Sequence, residues 1–226
     1  MDWLEFGLAL ALFLLSHRLP ALLGIKDRLI ARFGRRAYGM AYSLLSLALF
    51  AWLIAAAGRA PFVVLWDQQG WMRWLVNLTM PAVVLLGSCA VAAANPFAFE
   101  GRKQGFDPAH PGIAGLTRQP LLWAMALWAG VHLIANGDLA HVVLFGAMLA
   151  LTLSGIVLVE RQARRRLGAD WPRLTARTSL IPGAALLSGR WRPRLNPPWR
   201  RLALALLLWT AAFHLHEPLI GLWPGP

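Results

Sequence analysis

Hydrophobic and polar positions divide this chain into long apolar runs separated by basic loops. Residues 37–57, 74–94 and 139–159 carry no Asp, Glu, Lys or Arg, and each reaches the roughly 20 apolar residues a helix needs to cross a hydrocarbon core. Three further segments are interrupted: 3–23 holds Glu5, His17 and Arg18, 120–135 is short, and 202–222 holds His214, His216 and Glu217. Ionisable groups in lipid are costly unless they face a partner or a cavity, so the interrupted segments are where function is sought. The runs are too long and continuous for the alternating strands of an outer-membrane barrel, and backbone polar groups in lipid must be satisfied within the segment. The pattern therefore predicts an all-α, polytopic transmembrane helical bundle of about six spans. With no internal repeat or low-complexity tract, it forms one membrane domain over residues 1–226.

The loops predict the orientation. Six basic residues lie at Arg18 and between Lys26 and Arg36, three lie at Arg102, Lys103 and Arg118, and eleven arginines lie from Arg161 to Arg201. That places 20 of the 22 basic residues in alternate loops; only Arg59 and Arg73 lie in the second loop. None lies in the Asn136-Gly137-Asp138 turn or after the last span. Under the positive-inside rule the basic loops are cytoplasmic and both termini are on the non-cytoplasmic side.

Composition agrees with lipid as the main solvent: 58% of residues are hydrophobic and 14% charged, where a soluble domain has about 25% charged. The net charge of +12 would suit nucleic acid if it lined one groove, but the basic residues sit between apolar runs, which points to an anionic bilayer surface and to no nucleic-acid partner. Cys89 is the sole cysteine, which excludes an intramolecular disulfide and any multi-cysteine metal site. The first residues, Met1 to Glu5, lack a basic leader, so the first apolar run is expected to be retained as a membrane segment.

The candidate chemistry is carried by histidine. His132 lies within the fourth segment, on a helical stripe with Leu121, Met125 and Trp128, where a neutral imidazole can bind a metal or haem iron; the competing role is a hydrogen bond to a neighbouring helix. Trp123 and Trp128 are interior and suit a flat ligand, whereas Trp3, Trp66, Trp71, Trp74 and Trp223 fall at expected interfaces. His17 is the second candidate, its alternative being an interfacial position beside Arg18. His214 and His216 point in different directions on one helix, so one of them at most faces a given ligand. Counted from Pro120 and Leu202, His132 and His214 are each 12 residues in, whereas His17 falls roughly 15 Å from that depth along a straight helix. The third loop, with Asn95-Pro96-Phe97 and Asp107-Pro108-Ala109-His110, is rich in turn formers able to order a cap. Arg161 and Arg164 to Arg166 suit anionic headgroups or anchor the topology. No phosphate loop, HExxH or Gly-x-Ser-x-Gly pattern is present.

Taken together, Gly115-Leu116-Thr117-Arg118-Gln119-Pro120-Leu121-Leu122-Trp123, Leu127-Trp128-Ala129-Gly130-Val131-His132-Leu133 and Asn136-Gly137-Asp138-Leu139 resemble the NnrU family. Ser16-His17, Arg177-Thr178-Ser179, Ile181-Pro182 and His216-Glu217-Pro218 extend the resemblance over essentially the whole chain. It implies a multi-pass protein of the bacterial inner membrane associated with denitrification, the reduction of nitrite and nitric oxide, and hence a small apolar or gaseous ligand. Through the related zeta-carotene isomerase it also implies haem b held by histidines that fall on His17 and His132. Two positions depart from these patterns: Gln119 stands where the family has histidine, and Ala129 where the isomerase has cysteine. Arg118-Gln119-Pro120 with Glu160, Leu167-Gly168, Trp171 and Ile181-Pro182 is also similar to membrane methyltransferases of the isoprenylcysteine carboxyl type, which use S-adenosylmethionine.

Overall fold

The computed structural model describes residues 2–194 and 198–226, and Met1 lies outside them. In chain order the helices are α1 (Asp2–Leu22), α2 (Ile25–Arg59), α3 (Gly70–Ala90), α4 (Ile113–Leu116), α5 (Pro120–Ala135), α6 (Leu139–Leu167), α7 (Trp171–Thr175), α8 (Ala184–Leu187) and α9 (Trp199–Ile220). Among the described residues only two isolated bridges interrupt this all-α architecture. Among the described residues four helices are long and apolar enough to cross a membrane: α2, α3, α6 with its continuation to Thr175, and α9. α5 is a shorter apolar helix and α1 occupies the first expected segment. Leu44, Leu78 and Leu207 are all more than 60% exposed, an outer surface that water opposes and acyl chains accept.

Helix ends depart from the apolar runs because capping, not hydropathy, sets them. α3 begins at Gly70, after extended Gln69, and stops at Ala90 because Val91 is extended and Ala92 is left-handed at φ 53°. α5 opens on Pro120, whose missing N–H costs nothing in a first turn. α9 starts at Trp199, three residues before the apolar run, because the Pro198 carbonyl accepts from Arg201 and Leu202. The first basic loop is itself largely helical, and α2 breaks within it at Gly34, φ 83° and ψ 158°.

The contacts group into two compact units, Met1–Asp67 with Asn136–Leu144, and Gln68–Ala135 with Phe145–Pro226. In the first, α1 lies antiparallel to the second half of α2. Glu5 accepts from Trp52 at 3.0 Å and pairs with Arg59, Phe13 meets Phe50, and His17 meets Tyr42. The 63–66 segment docks on the Asn136-Gly137-Asp138 turn: Leu65 N–H donates to the Gly137 carbonyl at 2.7 Å, and Leu139 N–H to that of Val63 at 2.9 Å. A methyl group on Gly137 would overlap the Trp66 backbone, so only glycine fits there.

In the second unit α3 runs antiparallel to α5 and to α9. At one end Gln68 donates to the Ala135 carbonyl, Asn77 to that of Pro224 and Arg73 to that of Gly225. At the other, Arg201 donates to the carbonyls of Ser88 and Val91, the last turn of α3. The 91–119 and 168–194 segments meet at this second, basic end: Arg118 N–H donates to the Ser179 carbonyl at 2.8 Å and Gly183 N–H to that of Leu116 at 2.9 Å.

Candidate functional site

His132 sits on α5 in the second unit, half-buried between Trp128 on its own helix, ring centroids 5.3 Å apart, and Phe145 on α6, 5.2 Å away. Its Nδ1 lies 2.8 Å from the Trp128 carbonyl. A carbonyl can only accept, so Nδ1 carries the proton and, in the neutral ring, the lone pair is on Nε2. Metal-binding histidines are oriented in this way, one ring nitrogen donating to a backbone carbonyl while the other serves as ligand.

The remaining histidines differ in setting. His17, in the first unit, repeats the pattern, with Nδ1 2.8 Å from the Phe13 carbonyl and its ring against Phe13 at 4.5 Å and Tyr42 at 5.9 Å. His214 is exposed on α9 and touches only Phe213 edge-on among the described ring pairs. His216 donates from Nδ1 to the Leu222 carbonyl at 2.7 Å. His141 instead serves its own helix: Asp138, buried, accepts its backbone N–H and its Nδ1 at the start of α6. Among the described residues no group of three or more His, Cys, Asp or Glu is placed to hold a metal ion.

The basic end of the second unit holds a buried polar cluster. Arg118 donates from Nε to Glu160 at 2.8 Å and pairs with it again through Nη2, with side-chain exposures of 12% and 14%. Its Nη1 donates to Thr178 Oγ1 at 3.0 Å, and its guanidinium lies 5.4 Å from the Trp171 ring. Gln119, fully buried, donates from Nε2 to the Phe97 carbonyl at 3.2 Å, while its Oε1 has no partner. Asn95, also fully buried, donates to the Arg118 carbonyl and accepts from Phe97 N–H. Thr117 Oγ1 and Trp123 Nε1 converge on the Leu180 carbonyl at 2.8 and 2.9 Å. Gly115 passes so close to Trp191 that a methyl group would overlap the indole. The segments 95–97, 115–123 and 177–182 thus form one structure.

The chain matches the family described as NnrU protein over residues 5–224 of 226. It belongs to the NnrU family. No curated protein and no solved structure matches it. The NnrU match covers both units, so the His17, His132 and Arg118 settings all belong to the family's own extent.

Two features of this NnrU protein escape sequence reading. Phe145 is absent from the sequence candidates for the His132 site, although a three-residue turn between α5 and α6 fixes their antiparallel register and sets residue 145 opposite 132. Glu100 is the other: its Oε1 accepts from Leu121 N–H at 3.3 Å, its Oε2 is buried without a partner, and burial holds its carboxyl above the ordinary value. Nearby, His110 holds the Asp107 carboxyl below its ordinary range.

Proposed function

We propose that this NnrU-family protein binds haem b in the bacterial inner membrane and serves nitrite and nitric oxide reduction, or a haem-dependent redox reaction of the isomerase kind. The observation that carries the reading is His132, an imidazole set between aromatic rings with its Nδ1–H fixed on a backbone carbonyl. The residues of the second unit fit the group: an oriented nitrogen ligand at His132 and flat aromatic neighbours in Trp128 and Phe145. If bound, haem b would supply an iron able to exchange an electron or to take a small gas. His132 would hold the iron through Nε2, its ring kept in one tautomer by the Trp128 carbonyl and set between Trp128 and Phe145. Protein expressed with ample haem and purified in detergent is expected to give a pyridine haemochrome of haem b. Colourless protein contradicts the reading. Substituting His17, His214 and His216 singly by Ala identifies the second ligand as the change that converts a six-coordinate spectrum to five-coordinate.

A second reading is favoured by one observation, the convergence of Arg118, Glu160, Trp171 and the 178–182 segment. It makes the basic end a site for S-adenosylmethionine. Calorimetric titration of the purified protein with that compound decides it: saturable binding lost in Arg118→Ala supports methyl transfer, and no heat excludes it.

A further inference from the structure

We propose that the second unit holds one anionic phospholipid, its headgroup among arginines at the basic end and an acyl chain between α3 and α9. Two cavities in this unit share Arg201. The first, about 600 Å³, is lined by Arg102, Arg192, Arg194 and Arg201, with Asp107 its sole carboxylate. The second, about 710 Å³, runs between α3 and α9 over Leu121, lined by Val84, Leu204 and Leu208, with Arg200 and Arg201 as its charged residues.

Charge selects the occupant. Asp107 is already held by His110, and among the described residues none of Arg102, Arg192, Arg194, Arg200 or Arg201 pairs with a carboxylate. Excess positive charge at the mouth of an apolar groove complements an amphiphile with an anionic head, and arginine donors match phosphate oxygens. Arg201 is fixed in place: its Nη1 donates to the Ser88 and Val91 carbonyls at 2.7 and 2.9 Å, anchoring the guanidinium where the cavities meet. Ser88 Oγ supplies an independent indication. It lines the apolar groove, its residue is 9% exposed, and it has no hydrogen-bond partner, a donor placed for the ester region of a lipid.

The test uses delipidated full-length protein in micelles, titrated with phosphatidylglycerol, phosphatidylcholine or inorganic phosphate, reading thermal unfolding and lipid retained in native mass spectrometry. Phosphatidylglycerol is expected to be retained and to raise the midpoint, and the other two are not. Arg192 and Arg194 are exposed, so the double change Arg192→Gln with Arg194→Gln leaves the fold intact; it is expected to weaken phosphatidylglycerol by about tenfold or more. A Cβ on Gly87 would make only ordinary contact with Leu121, so Gly87→Ala is tolerated whereas Gly87→Leu fills the groove and abolishes retention. Far-ultraviolet circular dichroism checks that each variant keeps its helices. Equal retention of phosphatidylcholine, equal stabilisation by free phosphate, or wild-type binding by folded Gly87→Leu would each overturn the proposal.

Discussion

Single residues carry the sharpest consequences. Gly137→Ala is expected to cost about 1–3 kcal/mol, an overpacking penalty, because the new methyl group meets the Trp66 backbone; a lower unfolding midpoint in detergent checks it. Glu100 titrates against the fold. Its carboxyl is held above the ordinary value by burial, so the folded state favours the protonated form and loses stability as pH rises from the unfolded value through the folded one. Glu100→Gln keeps an acceptor for Leu121 N–H without the charge. It is therefore expected to raise the midpoint at pH 7, with a gain that shrinks towards zero as the pH approaches 4; a gain that does not depend on pH would contradict the assignment. The histidines were legible as residues, because an imidazole within an apolar run stands out. Helical spacing also reveals the neighbours one turn back, Phe13 and Trp128, but not the rings from other helices, Tyr42 and Phe145, which depend on tertiary packing.

At the scale of elements, the apolar runs located the helices because continuous hydropathy in lipid leaves the backbone no other regular solution. α5 coincides with its expected range, residues 120–135, because Pro120 marks its start in the sequence itself. α3 and α9 begin three or four residues early, as Gln69 and Pro198 set the ends and neither is apolar. The cluster at the basic end was legible only as scattered motifs. Arg118 meets Asn95, Glu160 and Thr178 across 23, 42 and 60 residues of chain, and no periodicity encodes such long-range pairing. The Arg118–Glu160 pair yields its own test: Arg118→Ala leaves a carboxylate uncompensated in a largely buried site and is expected to destabilise by roughly 3 kcal/mol or more, whereas replacing both partners with apolar residues of similar size costs much less. Thermal midpoints of the two single variants and the double variant measure the coupling.

For the whole molecule, charge and hydropathy point to a multi-pass membrane protein, and the helices and the family match agree with that. The 91–119 and 168–194 segments meet in the second unit, and the 63–66 segment pairs with the Asn136-Gly137-Asp138 turn in the first. With 20 of 22 basic residues in alternate loops, the region around Arg164 is expected in the cytoplasm and Pro226 outside; a reporter fused at Pro226 that is active only in the cytoplasm contradicts this. The haem reading is tested most directly by the absorption spectrum of the full-length protein beside His132→Ala, both expressed with ample haem and matched for helicity. The expected result is a Soret band in the wild-type protein that is lost, or reduced to a loosely held and easily extracted fraction, when His132 is replaced. A wild-type protein without a Soret band, or a folded His132→Ala variant with an unchanged spectrum, would contradict it.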